Sequence, residues 1–286
     1  MVRIAIIGGG NMGEAILAGL LRSGRQAKDL VVSEHVGQRA EYLSETYKVR
    51  LASVADAVEN ASFVILAVKP GDTEPVVNEI AEAAARAEGH AAEQVLISVI
   101  AGIPTAFFES RLPAGSPVIR VMPNTPALVG AGVSALAAGR FATPDQLAEA
   151  AELFQSVGRA VCVPESQLDA VTAVSGSGPA YFFLFVEALV DAAVAAGLSR
   201  PVATDLVVRT MAGSGQMLLE RLEAPAGSGH GGPTTAAAEL RAMVTSPGGT
   251  TAAGLRELER AGLRAAVASA VEAAKTRSEQ LGITSE

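Results

Sequence analysis

An apolar run at 2–7 passes directly into Gly8-Gly9-Gly10-Asn11-Met12-Gly13 and then into a helical pattern at 11–23. This junction constrains the fold more than any other feature. A strand that delivers G-x-G-x-x-G into a helix N-terminus opens a βαβ unit built for a dinucleotide. Gly8 permits the tight turn, Gly10 lets a pyrophosphate approach the backbone, and Gly13 lets helix and strand pack closely. The first helical N–H groups and the positive end of the helix dipole then face the phosphates. A glycine-rich turn without a ligand is the simpler alternative, and the flanking strand and helix argue against it.

The alternation continues. Runs at 30–33, 62–68, 94–100 and 118–122 predict strands, and 36–47 and 72–87 predict helices. Continuous Val/Ile/Leu strands between helices predict a parallel, doubly wound α/β sheet of Rossmann type. Residues 132–138 and 159–163 add candidate strands, and 141–157 a helix with Thr143 as its cap before Pro144. Beyond about 163 only helical patterns remain: 165–174, 179–196, 201–222, 236–244, 249–261 and 264–281. The expected organisation is therefore a dinucleotide-binding domain over 1–163 and an all-α domain over 164–286. Residues 224–233 (A-P-A-G-S-G-H-G-G-P) predict a mobile loop, because such a composition cannot bury enough to order itself.

Composition narrows the function. Net charge is −8 with a pI near 5.1, which disfavours a nucleic-acid partner, since phosphate backbones need a basic patch. Cys162 is the only cysteine, so no intrachain disulfide forms and a reducing, cytoplasmic compartment is expected. Its Val161 and Val163 flanks predict a small core hydrophobe. Met1 to Ile7 runs at once into glycines, a pattern that does not predict a signal peptide. The most apolar stretch, 181–198, is interrupted by Glu187 and Asp191 and reads as a buried helix rather than a membrane span.

Several residues are candidate ligand contacts. The second strand ends in Ser33-Glu34-His35. Glu34 lies where an acidic residue holds ribose hydroxyls and favours NAD; Ser33, His35 and Arg39 could instead receive a 2′-phosphate and favour NADP. Both options stay open, as does a third in which these are solvated loop residues. Ala67-Val68-Lys69-Pro70, Ala101-Gly102 and Met122-Pro123-Asn124-Thr125-Pro126 close later strands, and ligands bind at that edge of such sheets. Asn124 either orients a nicotinamide amide or caps a turn. In the helical half, 175–181 (S-G-S-G-P-A-Y) and 244–251 (V-T-S-P-G-G-T-T) set hydroxyls and free N–H groups at helix N-termini, suited to a small carboxylate; helix capping is the alternative. The helical half has one Lys, Lys275, and one His, His230 in the 224–233 insert. With no obvious His or Lys acid/base and no metal-ligand cluster, reduction of a C=N bond fits better than oxidation of an alcohol.

G-G-G-N-M-G-E-A-I, A-V-K-P, M-P-N-T-P, S-G-S-G-P-A-Y and V-T-S-P-G-G-T-T together resemble pyrroline-5-carboxylate reductases over nearly the whole chain. The resemblance implies a Rossmann domain, an all-α dimerisation domain, homodimers assembled into decamers, and reduction of 1-pyrroline-5-carboxylate to L-proline with NADPH or NADH. By motif, Gly8, Gly9, Gly10, Asn11 and Met12 would cradle the pyrophosphate, and His35 would meet the adenosine end. Val68, Lys69 and Ala101 would touch the cofactor. Thr251 would hydrogen-bond the ring nitrogen, Val244, Ser246, Gly248, Gly249 and Thr250 the carboxylate, with Glu165 near the amine and Ser175 beside the substrate. Two features depart from the family pattern: the long 224–233 insert, and Met243, where relatives often carry a polar residue. A related imine or β-hydroxyacid reductase is the enzymatic alternative; the β-hydroxyacid enzymes carry a catalytic Lys early in the helical domain, and none occurs here between Gly178 and Gly197. A non-catalytic nucleotide sensor need not keep the 244–251 loop.

Overall fold

The computed structural model describes residues 3–86, 94–223 and 235–283. The 224–233 insert lies outside them. Among the described residues, eight strands form one sheet: β1 Ile4–Ile7, β2 Leu30–Ser33, β3 Arg50–Leu51, β4 Phe63–Leu66, β5 Val95–Ser98, β6 Val118–Met122, β7 Gly132–Ala138 and β8 Gly158–Cys162. Their order is β3-β2-β1-β4-β5-β6-β7-β8, so the chain reverses its direction of winding between β1 and β4. The first half thus carries the expected doubly wound sheet.

Side chains alternate across each strand, and both faces are apolar because helices cover both. Ile4, Ile6, Leu30, Val32 and Ile65 enter one core with Ile16, Leu20 and Phe154. Those last three come from α1 (Asn11–Arg22) and α6 (Pro144–Gln155). Ala5, Ile7, Val31, Val64 and Leu66 enter the other with Val77, Ile80 and Phe108. These three come from α4 (Thr73–Arg86) and α5 (Thr105–Glu109). The predicted cap holds: Thr143 accepts from Gln146 N, and Gln146 accepts in return from the Thr143 backbone N–H. Sequence reading missed β3, α3 (Val54–Val58) and α5, each five residues or fewer.

Two expectations are corrected in this half. The sheet is not wholly parallel: β7 runs antiparallel to β6. Only a short 3₁₀ turn, Thr125–Val129, joins them, which is too little chain for a crossover between parallel strands. Cys162 is exposed rather than part of the core, because β8 is the edge strand and pairs only with β7.

The remaining helices are α2 (Gly37–Tyr47), α7 (Leu168–Val171), α8 (Gly178–Ala195), α9 (Arg200–Glu223), α10 (Ala236–Met243), α11 (Thr250–Arg260) and α12 (Leu263–Ile283). Two compact units emerge, one of residues 1–179 with 271–286 and one of residues 180–270. A π-helical turn, Thr172–Gly176, precedes α8. The helix expected to be buried at 181–198 instead exposes Phe182, Phe183, Leu184, Phe185 and Leu189. It is apolar on nearly every face, so a single chain cannot cover it.

Candidate active site

The glycines of the first turn do three different jobs. Gly8 sits at φ +100, and a Cβ there would stand 2.6 Å from the Ala67 carbonyl oxygen. A Cβ on Gly13 would run into the Gly8 carbonyl. Both positions are therefore set by packing. A Cβ on Gly10 would meet nothing within 4 Å, so that position faces open space. Gly10 is also the N-cap of α1 and makes no side-chain cap hydrogen bond. An uncapped helix start beside an open glycine, at the switch between β1 and β4, suits a pyrophosphate.

Around this turn the sequence candidates separate. The Ser33 carbonyl accepts from Gly8 N at 2.8 Å, and the Ile7 carbonyl from Ala67 N at 2.8 Å, which fixes the strand ends side by side. His35 is open, its side chain 86% exposed, whereas that of Glu34 is 7% exposed. Glu34 Oε2 accepts from Gly9 N at 2.8 Å and Oε1 from Val36 N at 2.8 Å. Arg39 Nε donates to the Gly9 carbonyl at 2.7 Å, and its guanidinium pairs with Glu14. Glu14 also accepts from Tyr42 at 3.0 Å and Tyr47 at 2.8 Å. Burial raises the Glu14 pKa, but hydrogen bonds from Tyr47, Arg39 and Tyr42 outweigh it and leave the carboxyl below its ordinary value. Burial and Glu14 together push the Tyr47 hydroxyl up to about 12. No spacing rule reveals this Glu14 cluster, because α1 and α2 meet only in the folded chain. Lys69 is exposed and precedes the 3₁₀ turn Pro70–Asp72. Ala101 and Val68 are partly exposed at neighbouring strand ends.

Glu165 and Asn124 are both engaged within the protein. Glu165 accepts from Thr105 N and Thr105 Oγ1, each at 2.7 Å. Arg120, 6% exposed, lies 3.6 Å from Glu165 and 3.6 Å from Asp169. Ser278 Oγ donates to Asp169 at 2.7 Å. The Asn124 amide donates to Ser175 Oγ at 3.2 Å, and its oxygen accepts from Val133 N at 2.9 Å. These bonds tie the Met122–Pro126 turn to β7 and to the π-helical turn, while the Asn124 side chain makes no cap bond to the 3₁₀ turn it precedes.

In the other unit, α11 begins at Thr250 with Gly249 as its N-cap and no side-chain cap bond. Thr251 is the second helical residue, so it is not the cap. Gly248 stands at φ +70, and Gly249 N donates to the Ser246 carbonyl at 3.1 Å. Val244, Ser246, Gly248 and Thr250 are exposed. The turn offers first-turn N–H groups and hydroxyls to an anion. Among the described residues, no cluster of three or more His, Cys, Asp or Glu could hold a metal.

A doubly wound sheet, a glycine turn at its switch point and a run of helices after it define the class: a dinucleotide-dependent Rossmann oxidoreductase. Residues 3–102 match the family described as NADP oxidoreductase coenzyme F420-dependent, and residues 165–281 match Pyrroline-5-carboxylate reductase dimerisation. The chain belongs to the pyrroline-5-carboxylate reductase family. It is 65% identical to the Mycobacterium tuberculosis pyrroline-5-carboxylate reductase, over 100% of this chain and 99% of that one. The structure of a Coxiella burnetii pyrroline-5-carboxylate reductase is similar at TM-score 0.86 and 33% identity, over 98% of both chains. A Plasmodium falciparum pyrroline carboxylate reductase with NADP bound is similar at TM-score 0.82 and 28% identity, again over 98% of both.

Proposed function

We propose that this chain reduces 1-pyrroline-5-carboxylate to L-proline, the last step of proline biosynthesis, by hydride transfer to a C=N bond. The observation that carries the reading is the start of α11, an uncapped helix N-terminus with Thr251 just inside it. Full-length identity to named reductases supports the same conclusion.

The first turn fits a nicotinamide dinucleotide, because Gly10 leaves room where Gly8 and Gly13 do not. Bound there, NADPH or NADH supplies the hydride. Gly8 to Gly13 would hold its pyrophosphate, Ser33 and His35 the adenosine end, and Ala67 to Pro70 with Ala101 the strand-end edge. The NADP-bound relative supports NADPH as one cofactor.

Thr250 and Thr251 N–H groups would grip the substrate carboxylate, with Val244, Ser246, Gly248 and Gly249 shaping the turn. The Thr251 hydroxyl would hold the ring nitrogen, whose charge falls and basicity rises as hydride arrives. An imine that arrives protonated needs no enzymic acid, which fits a turn whose own residues, 244–251, include no His or Lys. Positioning of this kind supplies much of a barrier reduction. Glu165, Ser175 and Asn124 would act from behind, positioning the elements they bond.

Residues 164–286 would form the helical functional domain, with 1–163 as the dinucleotide-binding domain. The matched dimerisation domain supports a homodimer, which the family resemblance extends to a decamer. A cytoplasmic location follows from the biosynthetic role.

Thr251→Ala is expected to lower kcat/KM by about 10²-fold with NADPH affinity intact, and Thr251→Ser to retain more activity. Loss of nicotinamide absorbance that depends on pyrroline-5-carboxylate measures it, beside thermal melts. A fully active Ala variant, or no turnover by the wild type, overturns the reading.

A further inference from the structure

The geometry points to Glu34 and Arg39 as a clamp on the Gly9 peptide, positioning the dinucleotide turn rather than selecting between NADH and NADPH. The inference rests on the dinucleotide-binding part of the proposed function and not on its substrate.

Gly9 stands between the packed Gly8 and the open Gly10. Its N–H donates to Glu34 Oε2 at 2.8 Å and its carbonyl accepts from Arg39 Nε at 2.7 Å. Both polar groups of one peptide position are thus held by side chains from the β2 end and α2. Each clamp residue is itself fixed. The second Glu34 oxygen accepts from Val36 N at 2.8 Å. The Arg39 guanidinium pairs with Glu14, which Tyr42 and Tyr47 also hold, and it lies 5.1 Å from the centroid of the Tyr42 ring. A Cβ on Gly9 would run into Leu43 of α2, so helix and turn are in direct contact as well.

By its place in the sequence Glu34 is the residue expected to receive ribose hydroxyls and so exclude a 2′-phosphate. Here its carboxylate is turned onto the protein instead. Each oxygen accepts from a backbone N–H, Oε1 also lies 3.3 Å from His35 Nδ1, and the side chain is 7% exposed, so it is held against the turn and away from a ligand's ribose. Arg39 likewise has its Nε and one terminal nitrogen committed, and its charge is matched by Glu14. At the β2 end the His35 ring is 86% exposed, with Nδ1 3.3 Å from Glu34 Oε1. The clamp therefore shapes the pyrophosphate turn equally for both cofactors, and neither Glu34 nor Arg39 discriminates between them.

The test uses the full-length protein without substrate, so it stands even if the substrate assignment fails. NADH and NADPH dissociation constants are measured by fluorescence titration for wild type, Glu34→Gln and Arg39→Met, with melts of each ligand-free protein. The Glu34→Gln side chain keeps one acceptor oxygen but turns an NH₂ toward one of the two N–H groups, leaving it unpaired. Both variants are expected to weaken both cofactors alike, by about tenfold, with the NADH:NADPH ratio unchanged. Glu34→Gln weakening NADH alone, or Arg39→Met weakening NADPH alone, overturns the proposal. Amide hydrogen exchange on the wild type needs no variant. Gly9 N–H should be protected in the ligand-free protein and no faster with NADH bound; exchange at the rate of an open loop, or acceleration by NADH, overturns the clamp.

Discussion

At the scale of single residues, the three motif glycines should respond to substitution for different reasons. Gly10 has ordinary backbone geometry, φ −64, and open space at its Cβ. Gly10→Val is therefore expected to fold with little change in melting temperature while abolishing NADPH binding in a fluorescence titration. Gly13→Ala should instead damage folding, because its methyl meets the Gly8 carbonyl. A Gly10→Val protein that binds NADPH normally would show that the pyrophosphate lies elsewhere. The tight packing at Gly8 and Gly13 and the open space at Gly10 were legible in sequence, since each follows from a strand–turn–helix junction. The occupation of Glu34 was not. Sequence gives its spacing from Gly13 but not that Gly9 N–H comes to rest against it.

Glu14 carries a pH consequence. Its folded carboxyl lies below the ordinary value of 4.5. A depressed carboxyl contributes stability that is present above the unfolded pKa and lost as pH falls through the folded one. The Glu14→Gln protein should thus lose less stability than wild type as pH drops below about 4.5. Chemical denaturation at several acidic pH values reads this; parallel curves for the two proteins would remove Glu14 from the acid limb.

At the scale of elements, the strong patterns held and the short ones did not. β2, β6 and β7 fall where the apolar runs placed them, because a buried strand writes itself as a continuous apolar run. β3 has two residues, both exposed, and so has no pattern to read. The tie around Arg120 was equally invisible, for its partners lie in β6, the Glu165 turn, α7 and α5. Arg120→Met should leave two facing carboxylates without a cation. A fully buried pair broken in this way costs ~3–5 kcal/mol, and the partial exposure of Glu165 and Asp169 reduces this to roughly 2 kcal/mol. A melting temperature equal to wild type would mean that the tie contributes nothing.

At the scale of the whole molecule, the apolar helices decide what the chain must do. Phe182, Phe183, Leu184, Phe185 and Leu189 of α8 are exposed, as are Val202, Leu206 and Val208 of α9. Covering a large apolar side chain is worth about 1.5–3 kcal/mol, so eight left in water are a strong drive to association. The sequence crowds Phe182, Phe183, Phe185, Val186, Leu189 and Val190 onto one helix, more apolar surface than a domain of this size covers, which predicts faces shared between subunits; the fold of one chain leaves most of them outside. By length and composition alone the helical stretch Glu165–Ala195, which holds an 18-residue window of mean hydropathy 1.5, could also cross a membrane. Yet its apolar part carries Glu187 and Asp191, charges that a lipid interior disfavours. A second copy covers the same faces without that cost, and a matching dimerisation domain spans them. Light scattering at micromolar protein should therefore give at least twice the chain mass of 29.0 kDa. Phe183→Asp, at the most exposed of these phenylalanines (68%), should shift that mass downward. A wild-type mass of one chain, or quantitative partition into neutral lipid vesicles, would overturn this account of the apolar faces.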